Sequence, residues 1–244
     1  MISITSFSNL PEISSIAISK KINVEFNGLV KLNSYSSELI ENTKNRADFS
    51  LISSAHGPFF DLIVATDDKE LKELILSKFI RAINACKELK IRNLIFHTGW
   101  FPKTYSNIDW INNSILFWNE ILEYTDDNIN IFIENVYENN PELINTLINE
   151  INRINFKACL DIGHVNISSK LHLKKWIEIL NCNIGHVHFH NNHGNDDEHN
   201  GLKNGNINID EVISVLKANS PNANWNLEIK NGFEESIEIL ENRI

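Results

Sequence analysis

The run Asp67–His97, DDKELKELILSKFIRAINACKELKIRNLIFH, contains the unit that decides the fold. Leu71, Leu74, Ile75, Phe79, Ala82, Ile83 and Cys86 recur at helical spacing, with Asp67 and Asp68 placed to cap the first turn. The spacing predicts a helix over Asp67–Lys90. The period then changes. Asn93–His97, Asn-Leu-Ile-Phe-His, is short and apolar, as a buried strand is, and it ends on an imidazole.

The same alternation runs along the rest of the chain. β-rich runs fall at Ile2–Ser6, Ile22–Phe26, Ser50–His56, Asn130–Asn135, Phe156–Ile162, Ile184–His190 and Trp225–Ile229. Helical patterns fall at Asn107–Tyr124, Pro141–Asn152, Leu173–Leu180, Asp210–Ala218 and Glu234–Asn242, and Pro141 suits a first helical turn. Strand and helix alternate without a linker or low-complexity segment, and 244 residues is close to the roughly 250 of one barrel. The expectation is an α/β protein, a single (β/α)8 TIM barrel forming one domain over residues 1–244. A doubly wound open sheet is the alternative, but no Gly-x-Gly-x-x-Gly follows the first strand.

Composition narrows the function classes. The formal net charge of −10 argues against a broad basic face for nucleic acid or anionic membrane. The three cysteines, Cys86, Cys159 and Cys182, are odd in number and lack Cys-x-x-Cys spacing, so they read as reduced thiols of a cytoplasmic protein. Residues 1–21 show no signal-peptide pattern, and no apolar run approaches the roughly 18 residues of a membrane span.

The ionisable residues gather at the C-terminal ends of the predicted strands. His56, His97, Glu134, Asp161 with His164, His188 and Glu228 close strands three to eight, and Asp197 and His199 follow in the long loop Asn191–Ile209. A barrel brings these ends to one mouth. Burying several carboxylates together is costly unless cations compensate them, and the histidines beside them suit Zn²⁺ or Mn²⁺. The expected cofactor is a divalent metal, one to three ions.

These motifs resemble the xylose isomerase-like barrels, which include sugar-phosphate isomerases/epimerases and endonuclease IV. The matching pieces are His-Gly-Pro-Phe-Phe-Asp-Leu at His56–Leu62, Phe-His-Thr-Gly at Phe96–Gly99 and Ile-Glu-Asn at Ile133–Asn135. They continue with Leu-Asp-Ile-Gly-His at Leu160–His164, His-Phe-His-Asn-Asn-His-Gly at His188–Gly194 and Asp-Glu-His at Asp197–His199. The resemblance implies that Glu134, Asp161, His188 and Glu228 are the central metal ligands. It implies that His56, His97, His164, Asp197 and His199 widen the site toward two or three metals. The chain departs at Asn191, where related sequences often carry Asp, which bears on the group behind His188.

Among flanking residues, His164, His190, Trp100, Phe59 and Lys230 are candidate substrate contacts, and His186, one layer deeper, reads as core. The implied reaction is isomerisation or epimerisation of a sugar or sugar phosphate through a metal-stabilised enediolate, with Glu134 and Glu228 as proton carriers. The alternatives are an endonuclease IV-like phosphodiesterase on abasic DNA and another metal-dependent lyase or hydrolase. Against the nuclease stand the charge and the segments Ser3–Asn9 and Asn27–Ser34, which replace that branch's basic, aromatic loops with little positive charge.

Overall fold

The computed structural model describes residues 2–7, 10–31, 37–126 and 128–243. Residues 8–9 and 32–34, parts of the two segments weighed against a nuclease, lie outside them. Strands β1 (Ile2–Ser6), β2 (Asn23–Phe26), β3 (Ile52–His56), β4 (Asn93–His97), β5 (Asn130–Glu134), β6 (Phe156–Asp161), β7 (Ile184–Phe189) and β8 (Asn224–Leu227) pair in parallel, in sequence order, and close into a barrel. The predicted (β/α)8 fold is the observed one.

The helices among the described residues are α1 (Leu10–Lys20), α2 (Ser37–Lys44), α3 (Lys69–Leu89), α4 (Asn107–Leu122), α5 (Glu142–Ile151), α6 (Ile162–Ser168), α7 (Leu173–Leu180), α8 (Ile209–Asn219) and α9 (Phe233–Glu241). Asp68 caps α3 by accepting from Leu71 N, and Lys90 ends it in the left-handed region. Helices α1, α2 and α6 are absent from the sequence reading. α1 is rich in serine and isoleucine, poor helix formers, and packing of Ile13 and Ala17 on the barrel overrides that propensity. α2 is short and buries only Ile40 and Thr43. α6 begins where the sequence pattern extends β6, because Asp161 stops the strand and accepts a bond from His164 N.

Between barrel and helices lies the main core. Phe79, Phe96, Phe117, Trp118 and Phe156 form its aromatic centre, with Phe79 stacked on Phe96 at 4.1 Å. Trp110, Trp118 and Trp176 are fully buried.

Inside the barrel the filling differs. One side holds a small apolar group, Ile95, Phe132 and Cys159. The other is polar: register sets Thr5 beside Glu25, Glu25 beside Ser54, and His188 beside Asn226. The usual barrel floor of branched aliphatic residues is thus partly replaced by a buried carboxylate and its donors.

Truncating Trp118 to alanine removes a fully buried ring from the aromatic centre. The expected cost is about 3–5 kcal/mol, read as a lower urea midpoint with an unchanged slope. A loss under about 1 kcal/mol would show that this cluster is not a principal source of stability.

Candidate metal centre

Strand register assembles the mouth. His97 on β4 is level with Glu134 on β5, and Asp161 on β6 with His188 on β7. His56 ends β3, and Glu228 directly follows β8. One donor atom from each of Glu134, Asp161, His188 and Glu228 lies within 4.8 Å of the others. His188 stands between the two glutamates, its Nδ1 3.0 Å from Glu228 Oε2 and 3.4 Å from Glu134 Oε1.

Further groups adjoin this set. His56 and His97 close on Glu134 from one side, with Nε2 atoms 3.0 and 3.7 Å from its Oε2. On the other side Asp197 Oδ2 lies 2.8 Å from His199 Nε2 and 3.4 Å from His164 Nε2. His190 joins both Asp161 with His164 and Asp197 with His199 as a candidate donor, its Nε2 3.0 Å from Asp161 Oδ1. Every residue expected as a metal ligand therefore falls in one continuous cluster.

The local sequence explains how these side chains are held. Asn135, the last residue of Ile-Glu-Asn, exchanges two 2.9 Å bonds with the backbone of Asp161, tying the end of β5 to β6. Gly163 in Leu-Asp-Ile-Gly-His sits under the His190 ring, where a Cβ would fall 1.9 Å from Cε1. Asn191 organises the long loop. Its Nδ2 donates to Leu202 O and Ile207 O, and its Oδ1 accepts from Asn192 N and Ile207 N. A carboxylate there could not donate to the two carbonyls. The Asn191 amide thus serves the loop.

The candidate substrate contacts take different places. Phe59 stacks on His97 at 4.3 Å and meets the edge of His56. With Phe7, Phe26, Phe60, Arg46 and Lys230 it lines a cavity of about 790 Å³ beside the cluster. Lys230 is exposed at its rim. Trp100 is half-buried and packs against the main core. His164 lies within the cluster, and His190 is fully buried against Asp161 and stacked on His199 at 4.2 Å.

Sequence reasoning did not single out Glu25 or Glu138. Glu25 is fully buried, with His186 and His188 each 3.0 Å away. A lone carboxylate in the apolar run Asn23-Val-Glu-Phe was the available signal. Glu138 accepts from Thr98 Oγ1 and from the backbone of Val136 and Tyr137, closing the turn after β5.

The donor set fits a cation. Asp161 Oδ2, His188 Nδ1 and Glu228 Oε2 belong to three of the four central residues, are buried, and have no hydrogen-bond partner. They face one another only at ion-pair distances, His188 Nδ1 lying 3.0 Å from Glu228 Oε2 and 3.8 Å from Asp161 Oδ2, and one shared positive ion would satisfy all three. Oxygen and imidazole donors at this spacing suit a divalent metal such as Zn²⁺ or Mn²⁺.

In the metal-free protein the histidines supply the compensating charge. Burial works against the charge on Glu134, but His188 and His164 outweigh it and hold the carboxyl well below its usual range. Burial likewise opposes protonation of His164, yet Asp161, Asp197 and Glu134 raise it well above an ordinary histidine. For His199, bonding to Asp197 and the field of Glu228 overcome burial and push it up to about 9. Burial wins at His97, which is pushed down to about 3 despite Glu134.

Comparison with known proteins identifies the family of the fold. The family model for xylose isomerase-like TIM barrels matches residues 22–243. Protein MJ1311 of Methanocaldococcus jannaschii is 33% identical over 174 residues, 66% of this chain and 59% of that protein. The chain thus spans about six-tenths of that relative's length. A D-tagatose 3-epimerase-like protein superposes with a TM-score of 0.81 at 26% identity, covering 99% of this chain and 96% of that one. The TTHB071 protein of Thermus thermophilus, from a crystal soaked with ZnCl2, gives 0.81 at 18% identity with coverage of 99% and 96%. A D-allulose 3-epimerase from Methylomonas sp. in complex with D-allulose gives 0.79 at 16%, with coverage of 100% and 96%. The last two likenesses show a shared fold.

Two pH effects follow from the histidines. His199 is raised from an ordinary value near 6.5 to about 9, so its contribution to stability is full below about 6.5 and is lost as pH rises through about 9. The melting temperature of chelator-treated protein is expected to fall across that window. A divalent ion must also displace the protons held by His164 and His199, so zinc affinity should rise with pH and binding should release protons. Competition with a chromophoric chelator measures the affinity, and a flat profile from about pH 6 to 9 would contradict this account of the charge balance.

Proposed function

Because the chain belongs to the xylose isomerase-like TIM barrel family, we propose that it is a divalent-metal-dependent isomerase or epimerase of sugars or sugar phosphates. The observation that carries this reading is the central set, in which Glu134 from β5 and Glu228 after β8 flank the Nδ1 of His188 while Asp161 completes the donors. Likeness across nearly the whole chain to a D-tagatose 3-epimerase-like protein supports it.

Glu134, Asp161, His188 and Glu228 would hold the ion, with His56, His97, His164, Asp197 and His199 available to hold more. A bound divalent ion supplies Lewis acidity, making a C–H beside a carbonyl easier to ionise. The chain's own residues do the rest. Glu134 and Glu228 reach the same point from different strands, so one takes the carbon-bound proton and the same or the other returns it. Return to the same face of one carbon preserves configuration, return to the other face epimerises it, and return to the neighbouring carbon isomerises the sugar. In this reading His164 or His190 would hold a substrate hydroxyl. The cavity walled by Phe59 receives the remainder of the substrate, with Lys230 at the rim for a phosphate.

A second reading, a metal-dependent phosphodiesterase, has one observation in its favour: His56 with His97, and Asp197 with His199, extend the central set into adjoining donor groups. Several ions spaced along such a cluster would suit phosphate ester hydrolysis.

Glu134→Gln and Glu228→Gln are each expected to lower turnover about a hundredfold to ten-thousandfold while the protein stays folded. Near-native turnover by either variant would remove that glutamate from its role. In D2O, metal-loaded protein given a panel of ketoses, aldoses and their phosphates should place deuterium on carbon, read by NMR. Metal-dependent incision of an abasic duplex at low salt, without deuterium uptake by any sugar, would replace this reading with the phosphodiesterase.

A further inference from the structure

Below the mouth stands a carboxylate outside the proposed ligand set. Glu25 on β2 is fully buried and cannot turn freely. Ser54 Oγ donates to its Oε2 at 2.9 Å, and Asn226 Nδ2 and Thr5 Oγ1 donate to its Oε1 at 3.1 and 3.4 Å. Asn226 is itself fixed by Ser3, which donates to its Oδ1 at 2.9 Å. Donors from β1, β3 and β8 thus hold one carboxylate of β2 at the centre of the barrel floor.

Its two oxygens face two histidines of β7. Oε1 lies 3.0 Å from His188 Nε2, and Oε2 lies 3.0 Å from His186 Nε2. These are ion-pair distances without a linear hydrogen bond, since neither ring nitrogen has an aligned partner. The opposite ring nitrogen of His188 is the one that faces Glu134, Asp161 and Glu228.

A histidine ring can turn over about its outer side-chain torsion, which would put Cδ2 in the place of Nδ1 and Cε1 in the place of Nε2. An anion fixed on one side removes that choice. We propose that Glu25 is a positioning residue for the metal centre: it keeps the Nε2 edge of His188 toward the barrel floor, leaving Nδ1 as the donor to the cation. The inference rests on the metal reading of the central set. Glu25 touches neither cation nor substrate in this role. It acts through His188: the carboxylate 3.0 Å from Nε2 holds the ring's orientation electrostatically and favours the proton on that nitrogen.

The test loads the full-length protein, carrying isotope-labelled histidine, with an NMR-active cadmium isotope. The His188 signals are assigned by their loss in His188→Gln. The expected result is scalar coupling between cadmium and Nδ1 of His188, with a proton on Nε2. Glu25→Gln is expected to weaken cadmium binding at this site about ten- to a hundredfold, with an unchanged far-ultraviolet spectrum. His186→Phe changes the same floor at the other carboxylate oxygen, and is expected to leave cadmium affinity within about twofold of the parent.

Coupling at Nε2 in the parent would overturn the role of Glu25 and leave the metal reading intact. Unchanged affinity and unchanged coupling in Glu25→Gln would do the same. If that variant does not fold, the parent spectrum still decides. Failure of the parent to bind cadmium would overturn the metal reading, and this inference with it.

Discussion

Three carboxylates, Glu25, Glu134 and Asp161, are taken almost completely out of water within one barrel, and among the described residues the groups that form ion pairs with them are histidines. Desolvating that much negative charge is too costly to leave uncompensated. The remaining features of the mouth follow from meeting that demand. Histidines on β3, β4, α6 and β7 point inward, and the long loop after β7 brings Asp197 and His199 over the top. The polar barrel floor ends in a saturated carboxylate instead of an aliphatic layer.

That demand is met differently with and without a cation. In the metal-free protein, protons on His164 and His199 balance the carboxylates. A divalent ion would take over the same role, with Asp161 Oδ2, His188 Nδ1 and Glu228 Oε2, which lack aligned hydrogen bonds, among its donors. Stability and metal binding would then be linked through the same side chains, and proton release would be the thermodynamic signature of the exchange.

The barrel divides its labour between layers. The aromatic shell around Phe79 and Trp118 holds the helices to the sheet and leaves the interior free to be polar. The floor at Glu25 and Asn226 steadies β1, β2, β3, β7 and β8 against one another. Above it, Asn135 and Asn191 use paired amide bonds to fix a strand end and a loop, so that the side chains of the mouth are held by more than loop packing. The aromatic-lined cavity lies beside His56, His97 and His199 and leaves one side of the cluster open.

Periodicity in the sequence was enough for the barrel, because a buried parallel strand and an amphipathic helix have different repeats, and their alternation leaves few topologies. The strand-end residues His56, His97, Glu134, Asp161 and His188 were legible for the same reason: once the fold is a barrel, strand ends meet. What the sequence could not show was which residues stand behind them. Glu25 is a single letter in a four-residue strand, and its partners Asn226, Ser54 and His186 come from positions 201, 29 and 161 residues away. Helix α6 was hidden because Asp161 both ends a strand and caps a helix, and local propensity favours neither assignment for Ile-Gly-His-Val. Asn191 reads as a flaw behind His188 until the loop's backbone gives its amide four partners. Only the closed barrel decided these roles, because hydrogen bonds between distant strands depend on register and direction, and one-dimensional spacing carries neither.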